Sequence, residues 1–269
     1  MIHGPSDTWH PFTASDIQII SRIGACPIKV MDFTTDQDLA WLAWMGFAAH
    51  DLVLRAWVDH GGVPDPAAHV AGIVRRVRAV QAAGFRRIAV QFSCEDELER
   101  YNVGWPTLRA WSLDVIGRLR ADLPEVEIVS TPIIPAGQHS WEARCEMDSV
   151  ITRCDTVGAH VKWWTVGDLA EGAPWGVEWW HGQFPDRDLR LLEVGGWPGT
   201  DEDWRVNTYP TMLRRMVSRR YVRSVHVWLV RSEDPAFVAD HYTDRITSII
   251  ANVAEDWRAA RPFVVEVIP

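Results

Sequence analysis

The chain has 269 residues, 47% of them apolar and 23% charged, enough to bury a large core as one α/β barrel or as two small domains. A net charge of −9 and an isoelectric point near 5.5 argue against a nucleic-acid or anionic-membrane surface, either of which needs clustered Lys and Arg. No stretch approaches the roughly 20 apolar residues of a membrane span and no signal-peptide profile opens the chain, so it reads as cytoplasmic, or as a domain cut from a longer secreted or phage protein.

Short β-type runs alternate with helical patterns along the chain. Met1 to Gly4 is a short first strand, and Thr13 to Ile23 a helix capped by Thr13 or Ser15. Ile28–Phe33 is a strand, Thr35–Met45 a helix and Leu52–Val58 a strand. Pro66–Ala83 is a helix stopped by Gly84, and its basic run Arg75-Arg76-Val77-Arg78 reads as a solvated face. Arg87–Phe92, Glu127–Ile134 and Thr156–Val161 are strands, separated by helices at Thr107–Ala121 and Trp141–Arg153. A long Trp- and Gly-rich loop, with room for a short helix, precedes the strand Leu189–Val194. A helix at Asp201–Arg219, a strand at Val222–Val230 and a helix at Pro235–Ala260 close the chain. Eight β/α repeats predict right-handed crossovers and a parallel sheet closed into a single (β/α)8 TIM barrel, one domain over residues 1–269. The competing doubly wound sheet more often carries a Gly-rich phosphate turn after its first strand, and none is visible.

The four cysteines, Cys26, Cys94, Cys145 and Cys154, match no zinc or redox spacing; Cys145 and Cys154 are near enough in sequence to bridge, but buried free thiols are the better reading. The sixteen tryptophans are the anomaly. Trp41, Trp44, Trp111 and Trp257 fall in helical patterns and read as packing residues, whereas Trp105, Trp163, Trp164, Trp175, Trp179, Trp180 and Trp197 follow strand-like runs. Any one of these can simply bury a loop; as a cluster they suit the C–H-rich faces of sugar rings.

In a barrel the C-terminal strand ends share one cup. The candidates there are His3 on the first strand, Asp32 on the second, and Arg55, Trp57, Asp59 and His60 on the third. The fourth offers Ser93, Glu95, Asp96 and Glu97, the sixth His160, Lys162 and Trp163, the seventh Glu193, and the eighth Trp228 and Arg231. Glu193 stands out: a lone acid ending an apolar run, followed by Gly195-Gly196-Trp197. Glu95 and Glu97 lie in the acidic run Glu95-Asp96-Glu97-Leu98-Glu99, which reads almost equally well as a solvated loop. Two acids across a Trp-lined cup describe a glycosidase cleft, one protonating the leaving oxygen while the other attacks the anomeric carbon or positions water.

With Ile28-Lys29-Val30-Met31-Asp32, Val53-Leu54-Arg55-Ala56-Trp57, Ala83-Gly84-Phe85-Arg86-Arg87-Ile88-Ala89-Val90, Val157-Gly158-Ala159-His160 and Leu191-Leu192-Glu193-Val194-Gly195, the chain resembles a compact, divergent member of the clan A retaining glycoside hydrolases. The resemblance implies a (β/α)8 enzyme acting on an oligosaccharide or polysaccharide without a cofactor. It implies Glu193 as nucleophile, His160 bordering the sugar, Trp228 flooring its subsite, and Arg55 steadying a carboxylate or touching substrate; position at the cup adds Trp57, Trp163, Trp197, Asp32 and His3 as expected substrate contacts. Strand four departs from the family's Asn-Glu-Pro. An ungapped alignment puts Ser93 at the acid/base position, and a two-residue shift puts Cys94-Glu95 onto Asn-Glu, which makes Glu95 the expected acid with Glu97 close behind. A non-catalytic carbohydrate-binding barrel is the alternative.

Two minority readings remain. His3, His60 and His160 with Asp32 or Asp59 would suit a divalent ion, but no His-x-His pair ends the first strand. Lys29 or Lys162 would suit Schiff-base chemistry, although Lys29 lies mid-strand, where alternation is expected to turn it outward.

Overall fold

The structure, a computed structural model, describes residues 2–3, 11–58, 61–93, 102–131, 137–163, 176–196, 200–227, 230 and 241–260. In chain order the elements are β1 (Ile2–His3), α1 (Ala14–Ile23), β2 (Ile28–Met31), α2 (Asp36–Trp44), β3 (Leu52–Arg55), α3 (Pro66–Ala82), β4 (Ile88–Gln91) and α4 (Trp105–Asp122). Then follow β5 (Glu127–Val129), α5 (Gly137–Glu146), α6 (Asp148–Ile151), β6 (Val157–Trp163), α7 (Val177–Gln183), β7 (Leu189–Gly196), α8 (Glu202–Val217), β8 (Val222–Val227) and α9 (Asp244–Ala260).

Local chemistry explains the boundaries. Thr13 and Asp16 form a reciprocal capping box on α1, and Thr35, Asp65 and Asp201 cap α2, α3 and α8 through their side-chain oxygens. Pro66 and Pro106 occupy first-turn positions where a missing N–H costs nothing, and Pro106 lets α4 begin two residues before the expected Thr107. Gly84, at φ +109°, turns the chain from α3 into β4.

The eight strands form one parallel sheet in the order β5-β4-β3-β2-β1-β8-β7-β6, and one isolated parallel bridge joins Val129 of β5 to Thr156, the residue before β6. Alternate residues divide the strands between two environments. Ile28 and Val30, Leu52 and Leu54, Ile88 and Val90, Ile128, Val157, Ala159 and Val161, Leu189 and Leu191, and Val225 and Val227 share one continuous core with the helices. Val53, Ala89, Val129 and Leu192 form a separate small cluster on the opposite face. That face is concave: Arg55 on β3 touches Glu193 on β7 at 2.8 Å, although a flat sheet would hold strands four places apart at about 19 Å.

Some expectations are corrected. The helix expected at 141–153 is two, α5 and α6, divided at Met147, which leaves helical geometry while staying fully buried. The last helix starts at Asp244 rather than Pro235, because the Thr243 hydroxyl accepts the Ile246 N–H and caps it; residues 231–240 lie outside those described. Trp44, expected to pack, is 80% exposed at the last position of α2, whereas Trp111 and Trp257 are in the core. Of the basic run, Arg75 and Arg78 are solvated, but Arg76 is largely covered and pairs with Asp36 at 2.5 Å. Cys26, Cys145 and Cys154 are free thiols, Cys145 exposed rather than buried. No helix among the described residues is long and apolar enough to cross a membrane.

Candidate active site

The concave face is built from the strand residues that alternate with the helix-facing ones: Lys29 and Met31, Val53 and Arg55, Ala89 and Gln91, Gly158, His160 and Lys162, and Ser224 and His226. Strand β7 breaks the alternation. Leu191 and Val194 both belong to the helix-facing core, so two residues, Leu192 and Glu193, lie between them on the concave side. The pairing registers record the irregularity: against β6, Ala159 pairs with Leu191 but the next residue, His160, pairs with Glu193. This β-bulge aims the Glu193 carboxylate inward.

Glu193 is 5% exposed and is met by two cations on one oxygen. Arg55 Nη1 donates to Oε1 at 2.8 Å and Lys29 Nζ donates to the same atom at 3.2 Å, with a further bond from Lys29 to the Leu192 carbonyl at 3.2 Å. Oε2 lies 3.6 Å from His160 Nδ1. A buried carboxylate that two cationic donors meet on one oxygen is held in a fixed orientation, which a nucleophile or electrostatic stabiliser needs. The Arg55 guanidinium also sits 5.6 Å from the centre of the half-buried Trp57 ring, so one side chain ties the carboxylate to an aromatic surface at the mouth.

Lys29 is thus a member of the site rather than outward-facing. Its signal in the sequence is a lysine between Ile28 and Val30 in a strand that is buried on both faces. Asp32, at the end of β2, accepts the Trp57 N–H at 3.1 Å and joins the ends of β2 and β3. Burial pushes its carboxyl above the ordinary carboxylate range, against the Trp57 bond and the nearby Arg76 and Arg55. Trp163 does not line the mouth: it is fully buried on the helix side, 5.3 Å from the Tyr209 ring, with its indole N–H on Thr208. Trp180 is likewise fully buried, against Trp179 in α7, and Trp105 lies at the start of α4. His3 pairs in register with Lys29 through β1 and β2. Glu95, Glu97, Trp197 and Trp228 lie outside the described residues.

The end of β4 carries no acid within the described residues. Its inward positions are Gln91, whose amide donates to the Ser93 carbonyl at 2.9 Å, and then Ser93, hydrogen-bonded to the Thr131 hydroxyl. His69 on α3 fixes this strand end by donating from Nε2 to the Phe92 carbonyl at 2.6 Å, and burial lowers its pKa, which keeps the ring neutral. Among the described residues, no three His, Cys, Asp or Glu side chains gather as a metal ion would require.

At the other end of the strands, Arg190 is bound by Glu127 through two bonds of 2.6 Å, by Asp51 at 3.0 Å and by Ser224 at 3.1 Å. Burial alone would push the Glu127 carboxyl up, but the Arg190 guanidinium outweighs it and holds the group below its usual range. This network supports the floor beneath the Leu192 cluster.

No family model and no curated protein matches the sequence. Solved structures do match. A glucosidase from Croceicoccus marinus superposes with a TM-score of 0.65 at 12% identity, over 94% of this chain and 67% of that one. A GH128 subgroup II endo-beta-1,3-glucanase from Pseudomonas viridiflava gives 0.60 at 13% identity, over 93% and 95%. A GH128 subgroup I endo-beta-1,3-glucanase from Amycolatopsis mediterranei, in complex with laminaritriose, gives 0.54 at 12% identity, over 94% and 99%. At such identities the likeness is one of fold, and the fold is one that glycoside hydrolases use.

Proposed function

We propose that this chain is a single-domain (β/α)8 barrel that hydrolyses a glycosidic bond in an oligosaccharide or polysaccharide, with Glu193 as its nucleophile. The observation that carries the proposal is the buried Glu193 carboxylate, turned by a bulge onto the concave face in the C-terminal half of β7 and held by Arg55 and Lys29. The bridge between β5 and Thr156, together with the side-chain contacts that cross the concave face, supports closure of the sheet. Neighbours of like fold include glucanases and a glucosidase, one of them bound to laminaritriose, which supports a carbohydrate ligand.

In this reading Glu193 attacks the anomeric carbon and forms a glycosyl ester while Glu95, or Glu97, protonates the leaving oxygen; water then releases the sugar with its configuration retained. His160 and Trp57 flank the sugar, and Arg55 holds the attacking carboxylate in place. The acid must come from the segment after Ser93, because Gln91 and Ser93 cannot donate a proton to a leaving group at neutral pH.

The test is a screen of α- and β-linked aryl glycosides and of oligosaccharides, with the first-formed anomer read by NMR. A retained anomer, and a slow-turnover glycoside esterified to Glu193 by mass spectrometry, are the expected results. An inverted anomer, or a sugar attached elsewhere, would overturn the mechanism. The second reading, a carbohydrate-binding barrel without chemistry, draws on Gln91 and Ser93, which carry no acid at the inward positions described at the end of β4, and it predicts sugar binding with no turnover on any substrate.

A further inference from the structure

Among the described residues three large apolar side chains are exposed, and two of them, Ile17 and Trp44, stand on α1 and α2 of the helical wall. These helices lie side by side. Phe12, just before α1, meets the Trp41 ring of α2 edge-on at 6.1 Å and donates its N–H to Asp38. Past the other end of α1, a Cβ on Gly46 would stand 3.6 Å from that of Ala25.

Charge sets this wall apart from its neighbours. Other long helices carry charges along their solvent sides, as Arg75 and Arg78 do on α3 and Asp114 and Arg118 on α4. On α1 the charged residues are Asp16, buried in its capping box, and Arg22, which pairs with Asp244 of α9 at 2.7 Å. On α2 they are Asp38, buried, and Asp36, which pairs with Arg76 of α3 at 2.5 Å. Each exposed charge is thus drawn to a helix on the far side, and the seam between them shows Ile17, Gln18, Ala40 and Trp44 to solvent.

An uncharged surface centred on a tryptophan and framed by ion pairs has the anatomy of a protein contact, an apolar middle within a charged rim. The charge of the chain selects the partner. Two copies of a protein of formal charge −9 repel each other over most approaches, and they meet at least cost where neither presents a charge. The surface also suits a copy of itself, because Trp44 projects while Ala40, one turn earlier on the same face, leaves room for a ring from the other chain.

We propose that the α1–α2 wall is a self-association surface, through which two copies form a two-fold symmetric dimer with the Trp44 side chains at its centre. The wall lies on the helix side of the sheet and Glu193 on the concave side, so the dimer leaves both sites open and the inference is independent of the hydrolase reading.

The experiment is sedimentation velocity of the full chain over concentrations from about 1 to 100 µM, at low and at physiological salt. The expected result is a reversible species of twice the 30.6 kDa chain mass. Trp44→Gln should weaken it about tenfold or more. Ala40→Glu, which places like charges face to face, should weaken it too, and more at low salt than at physiological salt. Leu113→Gln, at the third exposed apolar residue, should leave it intact. Both wall positions are exposed, so the variants should keep the wild-type melting temperature at the lowest concentration. A chain that stays monomeric throughout, or a dimer indifferent to both wall variants, would overturn the proposal. So would a monomer that uses Trp44 to hold an insoluble glucan or phosphatidylcholine vesicles instead.

Discussion

Arg55 and Glu193, from strands four places apart in the sheet, meet at 2.8 Å, and Lys29 joins them on the same carboxylate oxygen at 3.2 Å. Two cations and one anion with almost no solvent contact form a unit that cannot lose a member cheaply. Glu193→Gln is therefore expected to abolish turnover and also to destabilise the fold by about 3–5 kcal/mol, because it strands two buried cations. Urea unfolding measures it. Lys29→Met added to Glu193→Gln should recover part of the loss, and a Glu193→Gln protein as stable as wild type would show the trio to be misread.

Lys29→Met alone leaves Arg55 and His160 beside Glu193 but removes one of its two buried cations. Removing a neighbouring cation disfavours the charged carboxylate, so the acidic limb of the kcat/KM profile should move to higher pH. Lys29→Arg should restore the limb where the larger head group fits. An unmoved limb in Lys29→Met would mean that Lys29 does not act on Glu193.

Arg190 is the matching test at the other end of the strands. Arg190→Met leaves Glu127 and Asp51 without their shared partner and should cost about 3–5 kcal/mol. Because the folded Glu127 carboxyl lies below its ordinary range, its contribution is present above the unfolded pKa of 4.5 and is lost as pH falls through the lower folded value. Acid unfolding of wild type should accordingly be steeper below that pH than acid unfolding of Glu127→Gln.

His50 precedes β3, and burial, with Arg258 and Arg87 nearby, lowers its pKa to about 4 from 6.5. Between those values the unfolded chain binds a proton that the folded ring refuses, so stability falls as pH drops across the window, by about 1–2 kcal/mol after allowance for solvent access. Melting temperatures of wild type and His50→Gln at pH 7 and pH 4.5 should differ in this slope; parallel curves would exclude the ring as the cause.

Gly158 faces the Ser130 carbonyl so closely that an added Cβ would stand 2.3 Å from it and 2.8 Å from Leu192 Cδ1. Backbone on one side and the inner cluster on the other leave little room to yield. Gly158→Ala should cost about 1–3 kcal/mol, read as a melting temperature lowered by several degrees, and should disturb Glu193 through Leu192.

The order of strands and helices could be read from the sequence because its signals are local: caps at Thr13, Thr35, Asp65 and Asp201, the stop at Gly84, and runs such as Leu52-Val53-Leu54 bounded by polar turns. Arg55, His160 and Glu193 come together as candidates because each is expected at or near a strand end, although β6 and β7 run three residues beyond His160 and Glu193. What could not be read depends on distant packing. Trp163 follows a strand-like run as a binding tryptophan would, but α8 supplies Thr208 and Tyr209 to cover it. The break at Met147 has no Pro or Gly to announce it. The face that Lys29 takes could not be read from β2 alone, because neighbouring elements decide which of its residues meet the helices.

The bulge at Leu192 and Glu193 makes the site depend on a count of residues as much as on their identities. Deleting Leu192 would keep every polar group of the site in the chain and still swing the carboxylate toward the apolar helices, away from Lys29 and Arg55, while the strand's hydrophobic rhythm became more regular. Such a deletion should bind and process no sugar. The strand that looks most ordinary on paper would then be the inactive one, and its irregularity is what a search for distant relatives should look for.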